Sequence, residues 1–187
     1  EEGIRFFGLD PAKKTILSIG GSLGAKNINE AVDAGLHEIA NEGLQLIWQT
    51  GKPYAEKARQ AVQGLSGVWV NEFITQMEYA YAAADVVISR AGAMAIAELC
   101  VMQKPAILVP YPFAAEDHQT VNARKLEEKN AGIMITDSEA AGKLVPVAIN
   151  LAKDPGRQQK LSENISKLAV KNADEVIAKA ILETIKD

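Results

Sequence analysis

Six short apolar runs, each followed by a segment of helical character, leave this chain few ways to fold. Residues 15–19, 44–49, 68–70, 86–88, 105–110 and 132–136 are strand candidates, rich in Ile, Val and Leu. Between them lie a helix carrying Ile28, Val32, Leu36 and Ile39 on one face, a helix over 54–62, a short helix over 77–83, an alanine-rich helix after 92, and a helix running through Asn130. From Ser138 onward the chain reads as helical, with Leu161, Ile165 and Leu168 on one stripe and Ile177, Ile181 and Ile185 on another. Strands alternating with helices at this spacing predict a parallel sheet covered on both faces. The expected class is α/β, a doubly wound, Rossmann-like three-layer sandwich on a six-stranded parallel sheet. Residues 1–13 read as a turn or linker with no element of their own, and the domain proper as 14–187.

A length of 187 residues, 48% of them apolar, is ample for a core. The net charge of −4 with scattered Lys and Arg gives no nucleic-acid footprint. No stretch approaches the roughly 18 to 20 apolar residues of a membrane span, and no signal-peptide pattern opens the chain. The single cysteine, Cys100, lies in an apolar helix without a partner and reads as a structural thiol of a reducing compartment. The chain opens Glu1-Glu2-Gly3 without a Met, so the expectation is that something upstream has been removed.

In doubly wound folds ligands bind at the carboxyl ends of the strands, which directs attention to four loops. Gly20-Gly21-Ser22-Leu23-Gly24 follows the first strand and opens a helix, so its backbone can approach a phosphate and Ser22 can donate a hydroxyl. The spacing is not that of a dinucleotide fingerprint, since the second strand ends Trp48-Gln49-Thr50 with no acid; nor is it a P-loop, because no Gly-Lys-Ser/Thr follows. The fourth strand breaks at Ser89-Arg90-Ala91-Gly92 into a helix whose first residues are small, with Glu98 about two turns in. Unpaired amides at such a start favour an anion, and a carboxylate is a good acceptor for a sugar diol. The same residues also suit a plain strand-to-helix turn packed with small side chains. In the loop 114–122, Gln119 and Asn122 share a helix face and can reach one ligand. His118 stands there without a designated partner and reads as a hydrogen-bonding group before a catalytic base. No Ser-His-Asp arrangement and no metal-ligand cluster is suggested, and no cofactor is expected.

Taken together, Gly20 to Ala25, Glu72-Phe73-Ile74, Ala84 to Ala93 with Glu98, and Asp117-His118-Gln119 with Asn122-Ala123 resemble, in order and spacing, the donor-binding C-terminal half of the MurG family of bacterial N-acetylglucosaminyltransferases. The resemblance covers nearly the whole chain from Lys14 onward. It implies a two-domain GT-B architecture whose N-terminal acceptor-binding, membrane-contacting half is absent from this chain. It further implies a cytoplasmic enzyme peripheral to the inner membrane that moves N-acetylglucosamine from UDP-N-acetylglucosamine to a lipid-linked muramyl-pentapeptide in peptidoglycan synthesis. By position, Gly21 and Ser22 would contact the diphosphate and the backbone of Ile74 would read the uracil. The helix start Ala93, Met94, Ala95, Ile96, Ala97 and Glu98 would hold diphosphate and ribose, with Glu98 on the ribose hydroxyls; Gln119 and Asn122 would read the sugar. No catalytic residue is expected in this half, so the chain alone would be inactive. Met94-Ala95 stands where the family often has Leu-Thr, and a donor-side Arg before the first strand is missing. Two other expectations stand beside this one: a stand-alone donor-binding subunit of a two-piece glycosyltransferase, and a UDP-sugar epimerase of related fold.

Overall fold

The structure is a computed structural model and describes residues 1–184. In chain order it comprises α1 (Glu2–Phe6), β1 (Thr15–Ile19), α2 (Lys26–Ala34), α3 (Leu36–Asn41), β2 (Gln45–Gln49), α4 (Ala55–Ala61), β3 (Val68–Asn71) and α5 (Met77–Ala83). There follow β4 (Val86–Ser89), α6 (Ala93–Met102), β5 (Ala106–Leu108), α7 (His118–Glu128), β6 (Ile133–Met134), α8 (Ala140–Ala152), α9 (Pro155–Ser166) and α10 (Ala173–Thr184). Short 3-10 turns occupy Lys52–Tyr54, Ala115–Asp117 and Asp137–Glu139.

The six strands form one all-parallel sheet in the order β3-β2-β1-β4-β5-β6. This is the Rossmann-like doubly wound order, whose winding direction reverses between β1 and β4. All five residues of β1 and all four of β4 are buried, as a strand covered on both faces requires. Successive side chains alternate between two cores. Ile16, Leu46, Trp48, Val86, Ile88 and Ile107 meet Ile28 and Val32 of α2, Leu36 and Ile39 of α3, Ala58 of α4 and Leu144 and Ala148 of α8. Leu17, Ile19, Ile47, Val87 and Leu108 meet Ala80 and Tyr81 of α5, Leu99 and Cys100 of α6 and Leu126 of α7.

Three sequence expectations need correction. The helix expected across Ile28 to Ile39 is two, because Gly35 adopts φ −98°, ψ 5° where Val145 of α8 presses on it. A Cβ there would lie 2.7 Å from the valine methyls, so the close approach depends on glycine. Residues 1–13 are not merely turn: α1 packs on α5, Phe7 and Leu9 are buried, and the Phe7 ring meets Trp69 edge-on at 4.9 Å between centroids. An amphipathic helix of five residues is too short to show a period, so only packing exposes it. The stripe Leu161, Ile165 and Leu168 is divided, Leu161 entering the first core and Ile165 and Leu168 the second, because α9 sits at the rim where both faces meet. In α10, Ile177 and Ile181 are exposed, and Ile185 lies outside the described residues. Among the described residues no helix is long and apolar enough to cross a membrane.

The strand-end loops are tied together by one largely buried ion pair. Arg90, directly after β4, bonds Asp137 Oδ1 at 2.5 Å and donates to the carbonyls of Val109 (3.1 Å) and Pro110 (3.0 Å) beyond β5. Both side chains are mostly covered, 15% and 12% exposed, and the guanidinium lies 5.5 Å over the Tyr111 ring. Asp137, after β6, also accepts from the amide of Asn27 on α2. One cation thus gathers the ends of β4, β5 and β6, and its desolvation is offset by three acceptors converging on Nη1.

Two stability measurements follow. Phe7→Ala is expected to cost about 3 kcal/mol in urea denaturation, against the few tenths of a linker residue. Arg90→Met alone should cost about 3 kcal/mol by stranding the Asp137 carboxylate, while Arg90→Met combined with Asp137→Leu should cost less than the single change.

Candidate functional site

At the carboxyl ends of β1 and β4 a cavity of about 250 Å³ opens over the reversal point of the sheet. Its floor is the β1–α2 turn, with Gly21 and Ser22 exposed at the mouth. Gly24, at φ +74°, closes this turn against the loop after β2: a Cβ there would lie 2.1 Å from the Thr50 carbonyl oxygen. Asn29 completes the seam, donating to the Thr50 carbonyl at 2.7 Å and accepting from the Trp48 indole at 3.0 Å. Gln49, 4% exposed at the end of β2, donates to the Gly21 carbonyl at 3.1 Å and so fixes the peptide that faces the opening.

Opposite stands the β4–α6 turn. Gly92 is the N-cap of α6 with extended φ −69°, ψ 152°, and no side chain caps the first turn. The amides at the start of α6 therefore keep their donors for a ligand or water. The first turn exposes Ala93 and Met94, so the backbone is approachable. Glu98, one helical step further, borders the cavity; its Oε2 accepts from the Tyr81 hydroxyl at 2.8 Å. Phe73, Ile74 and Met77, from the loop between β3 and α5 and the start of α5, wall the third side.

Two amides of α7 hold the β4–α6 turn in place. Gln119 Oε1 accepts from the backbone N–H of Ala91 (3.2 Å) and of Tyr111 (3.0 Å), which leaves its Nε2 donors uncommitted toward Gly92. Asn122 Nδ2 donates to the Ala91 carbonyl at 3.2 Å and keeps its Oδ1. Each amide thus spends one half on the fold and retains the other. His118 Nδ1 is 2.7 Å from the Ala115 carbonyl and braces its own loop.

The structure brings Gly21, Ser22, Ile74, Ala95, Glu98 and Gln119 to one cavity. Ala93, Ile96, Ala97 and Asn122 line a neighbouring apolar groove of about 380 Å³ with Cys100 and Leu168, while Met94 is exposed and lines neither. Burial pushes the Cys100 thiol up. Helical geometry explains the division, since Ala95 and Glu98 share a face from which Ile96 and Ala97 are turned away. Sequence reasoning passed over Gln49 and Tyr81 as site residues. Their signals were a polar side chain ending a buried strand and a single hydroxyl on an otherwise apolar helix face. Among the described residues no group of three or more His, Cys, Asp or Glu could hold a metal ion.

The chain is similar to known proteins in sequence and in fold. Over 187 residues the chain is 48% identical to the UDP-N-acetylglucosamine–N-acetylmuramyl-(pentapeptide) pyrophosphoryl-undecaprenol N-acetylglucosamine transferase of Parabacteroides distasonis, covering 99% of this chain and 51% of that protein. It is 51% identical to the transferase of the same name from Phocaeicola vulgatus, covering 98% and 50%. The chain therefore spans about half the length of these curated relatives. Among solved structures, Acinetobacter baumannii MurG superposes with a TM-score of 0.81 at 26% identity, over 97% of this chain and 53% of that one. The family model for the glycosyltransferase family 28 C-terminal domain matches residues 15–179, all six strands included, and the chain belongs to that family.

Proposed function

We propose that this chain is the donor-binding half of an inverting N-acetylglucosaminyltransferase that takes UDP-N-acetylglucosamine and delivers the sugar to a lipid-linked muramyl-pentapeptide. The observation that carries the reading is the cavity at the sheet's reversal point, where an uncapped helix start and a carboxylate stand a few residues apart on α6. A nucleoside diphosphate is complementary to that pair: the phosphates sit against backbone donors and a helix dipole, the ribose diol against Glu98. The uracil lies against the Phe73–Ile74 loop, with the Ile74 backbone as its reader. Gly21 and Ser22 approach the diphosphate from the opposite turn, and the sugar points toward Gln119 and Asn122.

Chemically, the acceptor's 4-hydroxyl attacks the anomeric carbon and gives up its proton to a base outside this chain, the bond to the diphosphate oxygen breaks, and UDP leaves with the negative charge. That charge grows on the oxygens nearest the α6 amides, whose dipoles are already oriented and need no rearrangement as the bond lengthens. We assign no catalytic base within this chain. The acceptor, the second domain and the place at the inner face of the membrane belong to this proposal; the names and twofold length of the relatives support them.

Calorimetry with UDP and UDP-N-acetylglucosamine tests the reading directly. Glu98→Gln is expected to weaken UDP about tenfold while leaving the melting temperature unchanged, since a hydrogen bond to a charged acceptor is worth about 1.5 to 3 kcal/mol and an amide retains part of it. Unaltered UDP affinity would remove Glu98 from the ribose. For the sugar, Gln119→Ala and Asn122→Ala should lower the preference for UDP-N-acetylglucosamine over its 4-epimer, UDP-N-acetylgalactosamine, by about fivefold or more. Both variants should also melt earlier, because each loses a bond to Ala91. An equal loss for UDP and both sugar nucleotides would assign the amides to holding the turn alone.

A further inference from the structure

Tyr81 is 3% exposed in α5 and packed in the second core, with the hydroxyl as its one polar side-chain atom. A buried hydroxyl needs a partner, and this one finds it in Glu98 Oε2 at 2.8 Å, across from one helix to another. Burial first, and then the neighbouring carboxylate, push the phenol well above its ordinary range, so the hydroxyl keeps its proton and is always the donor. Glu98 itself is exposed and has several rotatable bonds, so without this contact its carboxylate would sample many rotamers. With it, Oε2 is committed, while Oε1 has no hydrogen-bond partner among the described residues. The Tyr81 ring is fixed by core packing, and α5 begins three residues after Ile74, which with Phe73 walls the cavity.

We propose that Tyr81 is a positioning residue for nucleotide recognition: it holds the Glu98 carboxylate in one orientation, with its second oxygen free for the ribose diol, and thereby sets the preference for ribo- over deoxyribonucleotides. This rests on the reading of Glu98 as the ribose acceptor. α5, which carries Tyr81 and also Met77 of the cavity wall, follows closely on the Phe73–Ile74 loop assigned to the base, so base and ribose are faced by neighbouring stretches of one chain segment.

The test is calorimetric titration of UDP and 2′-deoxy-UDP against the parent chain, Glu98→Gln and Tyr81→Phe, with a melting curve for each. Tyr81→Phe keeps the ring that fills the core and removes only the hydroxyl. It is expected to weaken UDP by about 3- to 10-fold and to leave 2′-deoxy-UDP nearly unchanged, so that the preference falls by the same factor. Glu98→Gln should abolish most of the preference. If Tyr81→Phe weakens both nucleotides equally, or neither, while Glu98→Gln still collapses the preference, the positioning role is overturned and the ribose reading stands. If the parent shows no preference, or Glu98→Gln does not change it, the ribose reading fails and the inference with it.

Discussion

Pairing of β1 with β4 at the centre of the sheet is the constraint on which the rest depends. In a parallel sheet every strand enters from the same end, so every strand-to-helix turn emerges at the other, and helix starts accumulate there. Where the winding reverses, two such turns leave in opposite directions and a gap opens between them. Here the gap lies between Gly20–Gly24 and Ser89–Gly92, and the cavity follows from topology before any side chain is considered. The side chains then decide what the gap can hold.

Few of those side chains are free to serve a ligand alone. Gln49, Gln119 and Asn122 bond the backbone of the turns, and Glu98 is tied to Tyr81. Arg90, which also borders the cavity, commits its Nη1 to two carbonyls and Asp137. Fold and site therefore share bonds, and a binding residue removed here also loosens the loop that carries it. Such sharing keeps the turns rigid, so that a ligand meets donors and acceptors already in place and less ordering opposes its binding.

The alternation of strand and helix was legible in the sequence because strands buried on both faces must be apolar throughout, as in Val86-Val87-Ile88. The loops and helix starts that carry Gly21, Ser22, Ile74, Glu98 and Gln119 could be placed at one end of the parallel sheet from chain order, while the family resemblance picked Gly21 and Ile74 out within them. The break at Gly35 was not legible, because the cause is Val145, more than a hundred residues away in sequence. Nor was α1, whose five residues are held by aromatic contacts with Trp69 and Tyr79 and by no periodicity of their own.

What the sequence by itself determined is therefore the succession of elements and the end of the sheet at which polar loops collect, because both follow from local periodicity and chain direction. Tertiary structure alone decided which half of each amide is spent, which face of α6 turns to the cavity, and that a buried phenol of α5 donates to Glu98. These are pairings between distant segments, fixed by close packing of the interior, and no local pattern encodes them.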